Sequence, residues 1–280
     1  MVKILSDSTS DLSPELIRQY NIGIIPLYVH LGDREYRDGV DISPEEIFRW
    51  SDEHRQTPRT AAPDMEEIST FLDREGEDEY VIFTISSSMS SSFNNCRLTA
   101  MELGMEDRVF VIDSMSLSTG TGLLVITAAR MAAEGMSGAQ IAYEMEKLRD
   151  QVRASFVVDT LTYLYRGGRC SGLSAFLGSA LRIRPRIAVE GGAMRPEKKY
   201  RGKSGRCILS YVEDMEEDLK KARPDMVFIT HSGCERETVE AVRTYLEGLH
   251  HFDRILETRA GSVISSHCGP GTLGVLFIAG

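Results

Sequence analysis

Along the first half of this chain, short β-branched and aromatic runs alternate with stretches whose apolar residues recur at helical spacing. Residues 2–5, 22–29, 80–85 and 109–112 predict strands. Between them, Ser13-Pro14-Glu15 opens one helix, and Ser43-Pro44-Glu45-Glu46 opens another with a cap, a proline and an acid in the favoured places. Asp64-Met65-Glu66-Glu67 starts a third, and a small-residue helix runs to about Gly135. Residues 32–41 read as a polar, hairpin-like excursion ending in Asp38-Gly39. Strand, loop and helix repeated in this order imply a mostly parallel sheet with helices on both faces, whose ligands lie beyond the carboxyl ends of the strands.

The pattern changes at a hinge placed near 134–153. Residues 138–152 predict a helix, 155–158 a strand, and 161–169 a short helix stopped by Gly167-Gly168. Residues 173–181 are apolar and small, and Arg184-Pro185 ends that run. Short antiparallel strands are expected at 187–190, 193–194 and 198–200 around Gly191-Gly192. Helices follow at 212–222 and 235–249, with strands at 226–230, 255–258 and 275–278. The expected class is α/β with two α/β domains. Residues 1–150 form a three-layer domain around a mostly parallel sheet, and residues 151–280 a smaller mixed sheet with helices.

Composition narrows the function. A length of 280 residues suits two domains, and 42% hydrophobic with 26% charged residues is ordinary for a globular chain. The net charge of −10 argues against a general nucleic-acid surface or an anionic-membrane surface. No apolar run approaches the roughly 18 residues of a membrane span, which leaves at most transient membrane contact. The N-terminus enters a strand directly, without a signal-peptide core. Five widely spaced cysteines with no CxxC pair read as reduced thiols of a cytoplasmic protein, with no structural zinc site.

The densest candidate chemistry lies between the strand at 80–85 and the helical spacing that begins at Phe93. Residues 86–92 hold six serines in seven positions, interrupted by Met89. Hydroxyls and orphan backbone N–H groups at a helix N-terminus make a place for an anion. A plain serine-rich connection, with one serine capping the helix, accounts for the same stretch. Asp7 and Asp11, after the first strand, read as loop-holding caps.

Eight short stretches, in order, carry a resemblance. They are Asp7-Ser8-Thr9-Ser10-Asp11, Thr60-Ala61-Ala62-Pro63, Ile85 to Ser92, Asp113-Ser114 with Gly120-Thr121-Gly122, Leu161 to Ser171, Leu177-Gly178 to Arg184-Pro185, Lys199-Tyr200-Arg201-Gly202, and His267-Cys268-Gly269-Pro270-Gly271. Over essentially its whole length the chain resembles the DegV family. The resemblance implies two α/β domains holding a long fatty acid, no cofactor and no metal. It implies no catalysis by this chain alone: the bound acid is presented to a separate ATP-dependent fatty acid kinase subunit, which makes an acyl phosphate for bacterial phospholipid metabolism.

Carried onto this sequence, the family's carboxylate grip falls on Thr60 and Ser90, completed by the Ser91 backbone N–H, with His267 close by. Short neutral hydroxyls hold a carboxylate without the desolvation cost of a buried cation. The acyl wall is expected at Phe176, Leu177, Ala180, Leu181, Ile183, Ile187 and Phe277. Arg169 and Arg201, within a basic stretch from Arg166 to Arg206, match positions that engage the kinase. Three departures bear on the pocket mouth: Ala61-Ala62 where the family has Ser-Gln, and Ser91-Ser92 and Ser265-Ser266 where it has Gly-Thr.

Two rival classes are weighed against this reading. A serine-dependent hydrolase of lipid esters would use Ser90 with His267 and an acid such as Asp113, but no G-x-S-x-G elbow is present. A nucleotide-binding module lacks both G-x-G-x-x-G after the first strand and a Walker A sequence.

Overall fold

The computed structural model describes residues 1–170 and 183–280. Its first sheet is parallel throughout, built from β1 (Val2–Asp7), β2 (Gly23–Ile25), β6 (Glu79–Thr84) and β7 (Val109–Asp113) in the order β2-β1-β6-β7. The strand expected over 22–29 is two. β2 stops at Ile25 before Pro26, which lacks an N–H and restricts its predecessor. The chain then enters a small antiparallel sheet, β4-β3-β5, made of β3 (Tyr28–Leu31), β4 (Arg34–Arg37) and β5 (Arg59–Ala61). The excursion at 32–41 is the β3–β4 hairpin and its exit.

Helices of this half are α1 (Pro14–Gln19), α2 (Pro44–His54), α3 (Met65–Ser69), α4 (Ser92–Glu102), α5 (Thr119–Ala133) and α6 (Gly138–Leu148). Local chemistry accounts for their starts. Ser13, Ser43, Asp64 and Ser137 each accept an N–H from the first turn, and Ser43 with Glu46 closes a full capping box.

The second sheet is mixed, in the order β10-β9-β8-β13-β11-β12. Its strands are β8 (Val152–Val157), β9 (Ile183–Glu190), β10 (Ala193–Arg201), β11 (Ala222–His231), β12 (Ile255–Arg259) and β13 (Leu273–Ala279). Expected as the smaller sheet, it is the larger, six strands against four. β9 and β10 meet at Gly191 and Gly192, whose φ values of +55° and +80° suit a two-residue hairpin turn that matches the strand twist. The remaining helices are α7 (Thr162–Gly167), α8 (Ser204–Glu213), α9 (Glu216–Lys220), α10 (Arg236–Gly248) and α11 (Ser262–Cys268). The helix expected at 212–222 is displaced, because Cys207, Ile208, Tyr211 and Val212 form the buried face of α8 and Ala222 already belongs to β11.

α5 joins the two sheets. It packs on β1 and β6 from one side and on β8 and β13 from the other. Leu123, Leu124, Val125 and Ile126 are all fully buried, as a helix between two layers requires. Alternation along β13 sends Leu276 and Ile278 toward α5, and Leu273, Val275 and Phe277 into a second core with Cys207, Tyr211 and Val239. Among the described residues, no helix is long and apolar enough to cross a membrane. Among the described residues, none of the five cysteines is in a disulfide.

Candidate functional site

The serine turn leaves the carboxyl end of β6, next to β1, where the strand order of the parallel sheet reverses and a crevice opens. Its serines divide their tasks. Ser86 Oγ donates to the Gly192 carbonyl at 2.7 Å, and Ser88 Oγ donates to the same oxygen, so the turn clamps the β9–β10 hairpin. Asp7 Oδ2 accepts the Ile85 N–H at 2.9 Å, and Asp113 Oδ1 accepts the N–H groups of Ser87 and Met115 at 3.1 and 3.0 Å. Ser90 Oγ accepts the Ser92 N–H at 3.2 Å and lies 2.9 Å from Ser92 Oγ. Ser91 is the exposed N-cap of α4, with φ −81° and ψ 2°, so serine fits where the family's glycine would allow more. No hydrogen bond engages its N–H among the described residues.

A cavity of about 300 Å³ opens on this turn, the low end of the range for small-molecule sites. Thr60, Ser90, Ser91, Arg169 and His267 supply its polar lining, and Ile85, Met89, Leu117, Met194, Val263 and Ile264 its apolar wall. Thr60 sits on β5 opposite Val29, and its Oγ1 lies 2.8 Å from His267 Nε2. The four residues expected at the head of a carboxylate are therefore brought together.

His267 arrives on α11, a helix that the sequence reading did not anticipate. Gly261 and Ser262 at its start donate their N–H groups to Asp11 Oδ1 and Asp38 Oδ1, at 2.8 and 2.7 Å. The other carboxylate oxygens accept Ser118 Oγ and Ser8 Oγ. Burial raises both carboxyls, Asp11 well above the usual carboxylate range. Ser265 and Ser266 turn their hydroxyls back onto the Ala260 and Ser262 carbonyls, which absorbs that departure from the family inside the helix. Val263, Ile264, His267 and Cys268 all reach the cavity, one stripe of a helix, and this spacing was the available signal.

The imidazole of His267 is held neutral. Burial pushes its pKa down to about 4, and the Arg169 guanidinium adds to the shift. Arg169 is exposed, lines the cavity, and donates from Nη1 to the Gly167 carbonyl at 2.6 Å. Arg201, also exposed, ends β10 opposite Ile183 and does not line the cavity. The two arginines thus occupy different places. Of the other cations in that stretch, Arg184, Arg186 and Lys198 are paired with Asp159, Glu197 and Asp214.

The three described acyl-wall residues, Ile183, Ile187 and Phe277, lie in different places. Phe176, Leu177, Ala180 and Leu181 lie outside the described residues. Ile187 is fully buried in the cluster that contains Ile85, Met89 and Leu117, directly behind the wall. Ile183 is half-buried at the start of β9 and is not part of the lining. Phe277 is a correction: strand alternation points it at α8 and α10, away from the cavity. The wall the sequence reading missed comes from Met89, Leu117, Met194 and Ile264, four separate segments.

The geometry does not support the hydrolase reading. His267 Nε2 faces Thr60 and not Ser90, Ser90 bonds to Ser92, and Asp113 is engaged by backbone N–H groups. A triad needs base on nucleophile and acid on base, and neither contact exists here. Among the described residues, no group of three or more acidic, histidine or cysteine side chains is placed to hold a metal.

The family model described as "Uncharacterised protein, DegV family" matches residues 1–280. The chain belongs to the DegV family. A fatty acid-binding protein of Thermotoga maritima is 31% identical to this DegV protein over 284 residues, covering 98% of this chain and 96% of that one. Among solved structures, a fatty-acid-binding DegV family protein from Thermus thermophilus superposes with a TM-score of 0.88 at 31% identity, covering 99% of both chains. A stearic acid-binding protein from Eubacterium ventriosum superposes at 0.86 with 27% identity, covering 100% of this DegV protein and 98% of its own chain.

Proposed function

We propose that this DegV protein binds a long-chain fatty acid, grips its carboxylate with Thr60, Ser90 and the Ser91 N–H, and presents it to a separate ATP-dependent kinase for conversion to acyl phosphate. The carrying observation is the convergence of Thr60, Ser90, Ser91 and His267 on one cavity whose described lining, Arg169 apart, is otherwise mostly apolar. Fatty acid binding by relatives that match nearly the whole chain supports the same reading. We take the chain as a unit at 1–150 and another at 151–280; in support, every strand of the parallel sheet comes from the first and every strand of the mixed sheet from the second.

Affinity comes chiefly from the tail. Each buried CH₂ contributes about 0.8 kcal/mol, whereas two or three head-group hydrogen bonds add only about 1 kcal/mol each and fix position. Neutral donors leave the carboxylate oxygen nucleophilic toward a phosphoryl group. Arg169, exposed at the cavity, and Arg201, exposed at the sheet edge, are suited to steer a kinase carrying a charged nucleotide.

Mass spectrometry of the purified protein tests the binding, with a co-purifying long-chain acid expected and an empty protein that ignores added acid refuting it. A kinase-dependent acyl phosphate assay tests presentation. Arg201→Glu should suppress transfer while the acid stays bound, and full transfer by that variant excludes Arg201 from docking. Arg169→Glu is expected to disturb binding as well as transfer, because Arg169 lines the cavity.

A further inference from the structure

Gly167, the last residue of α7, lies against the ring of His267. A Cβ built on it would fall 2.4 Å from His267 Nδ1 and 3.3 Å from Cε1, so the ring occupies the space a side chain would need. Nδ1 is buried and has no hydrogen-bond partner among the described residues. It looks onto a glycine α-carbon, which accepts no hydrogen bond. A proton on Nδ1 would be a buried donor without an acceptor, and that costs as much as a lost hydrogen bond. A bare lone pair against a Cα–H is far milder.

We infer that Gly167 is a positioning residue that fixes His267 as the Nε2–H tautomer, making His267 the donor to Thr60 and turning the Thr60 O–H toward the ligand. A threonine hydroxyl has one proton and two acceptor lone pairs. With one lone pair taken by the Nε2–H, the Thr60 proton is available to an oxygen in the cavity. The Ser91 N–H is likewise a donor, so the head of the cavity presents donors. It therefore favours an acceptor-only group such as an ionised carboxylate, which takes both donors, over a head that must itself donate, such as a primary alcohol, to which His267 offers no acceptor. The neutral imidazole is consistent with this arrangement, since an imidazolium would bring a second N–H onto Gly167. Arg169, bonded to the Gly167 carbonyl, holds the end of α7 in place. The ligand consequence rests on the fatty-acid reading; the tautomer does not.

The test is long-range ¹⁵N–¹H correlation of the full-length protein at neutral pH, with the His267 signals assigned by their loss in His267→Gln. A protonated Nε2 and a bare Nδ1 are expected with and without added oleate. A proton on Nδ1, in either the other tautomer or the imidazolium, overturns the inference. Oleate titrations of Gly167→Ala, His267→Ala and the double variant supply the second measurement. Gly167→Ala should bind oleate about tenfold more weakly, and the same change in the His267→Ala background should cost less than about twofold, since the ring it displaces is gone. Additive losses overturn the coupling. If Gly167→Ala does not fold, the correlation spectrum of the unaltered protein decides alone. A protein that binds no oleate or other long-chain acid refutes the functional reading, and the spectrum still reports the tautomer.

Discussion

Asp38 Oδ1 accepts the Ser262 N–H at 2.7 Å, across 224 residues, and so fastens the β3–β4 hairpin exit to the helix that carries His267. Asp11 does the same for Gly261 from the loop after β1. Two buried carboxylates hold the open end of α11, and their remaining oxygens are satisfied by Ser8 and Ser118.

Asp38→Ala leaves the buried Ser262 N–H and the half-buried Ser8 hydroxyl without their acceptor. Each orphaned group costs about 1–3 kcal/mol, so the variant should lose about 2–4 kcal/mol of stability. Loss of fatty-acid binding beyond what unfolding explains is expected, because His267 is no longer anchored. Denaturant unfolding with oleate titration checks both; unchanged stability refutes the anchor.

Asp7, fully buried, has its carboxyl pushed up to about 6 by desolvation, against the opposing bonds from Thr9 and Ile85. Its folded pKa exceeds the unfolded value of about 3.9. Its contribution is therefore fully present below about pH 4 and is lost as pH rises through about 6. That loss approaches about 3 kcal/mol. Asp7→Asn lacks it. The stability difference between the unaltered protein and this variant should shift against the unaltered protein between about pH 4 and 6.5, as read by urea unfolding across that range. A pH-independent difference contradicts the raised carboxyl.

Thr60→Val and Ser90→Ala each remove one hydroxyl from the cavity head and leave the tail surface alone. Each should weaken oleate binding by about 1–2 kcal/mol, and kinase-dependent transfer should fall further because the head is no longer positioned. Transfer at the unaltered rate in the double variant would show these residues misassigned.

Phe277 and Ile264 separate core from cavity. Phe277→Ala empties the core between the mixed sheet and α8, and should destabilise by about 3–5 kcal/mol with little change in oleate affinity for the folded protein. Ile264→Ala, on the cavity wall, should weaken oleate binding at a smaller cost in stability. Equal effects of both on binding would place Phe277 at the ligand after all.

Short-range chemistry was legible in the sequence. The Ser43–Glu46 capping box, the Gly191-Gly192 turn and the strand runs each depend on a few neighbouring residues, whose propensities act within one turn or one strand. The serine turn marked a place for an anion because a strand and a helix start flank it, while a plain capping connection fitted the same residues. The family motifs brought Thr60, Ser90 and His267 into one expectation. What tertiary structure decided was contact at a distance. Thr60 meets His267 across 207 residues. α11, seven residues long, is held by the carboxylates of Asp11 and Asp38 and gives little signal of its own. Phe277 and Leu276 are neighbours of like hydrophobicity, and only the register of β13 against β11 and β8 determines which faces α5 and which faces α8. Hydrophobicity says that a side chain is buried; the packing of whole layers says against what.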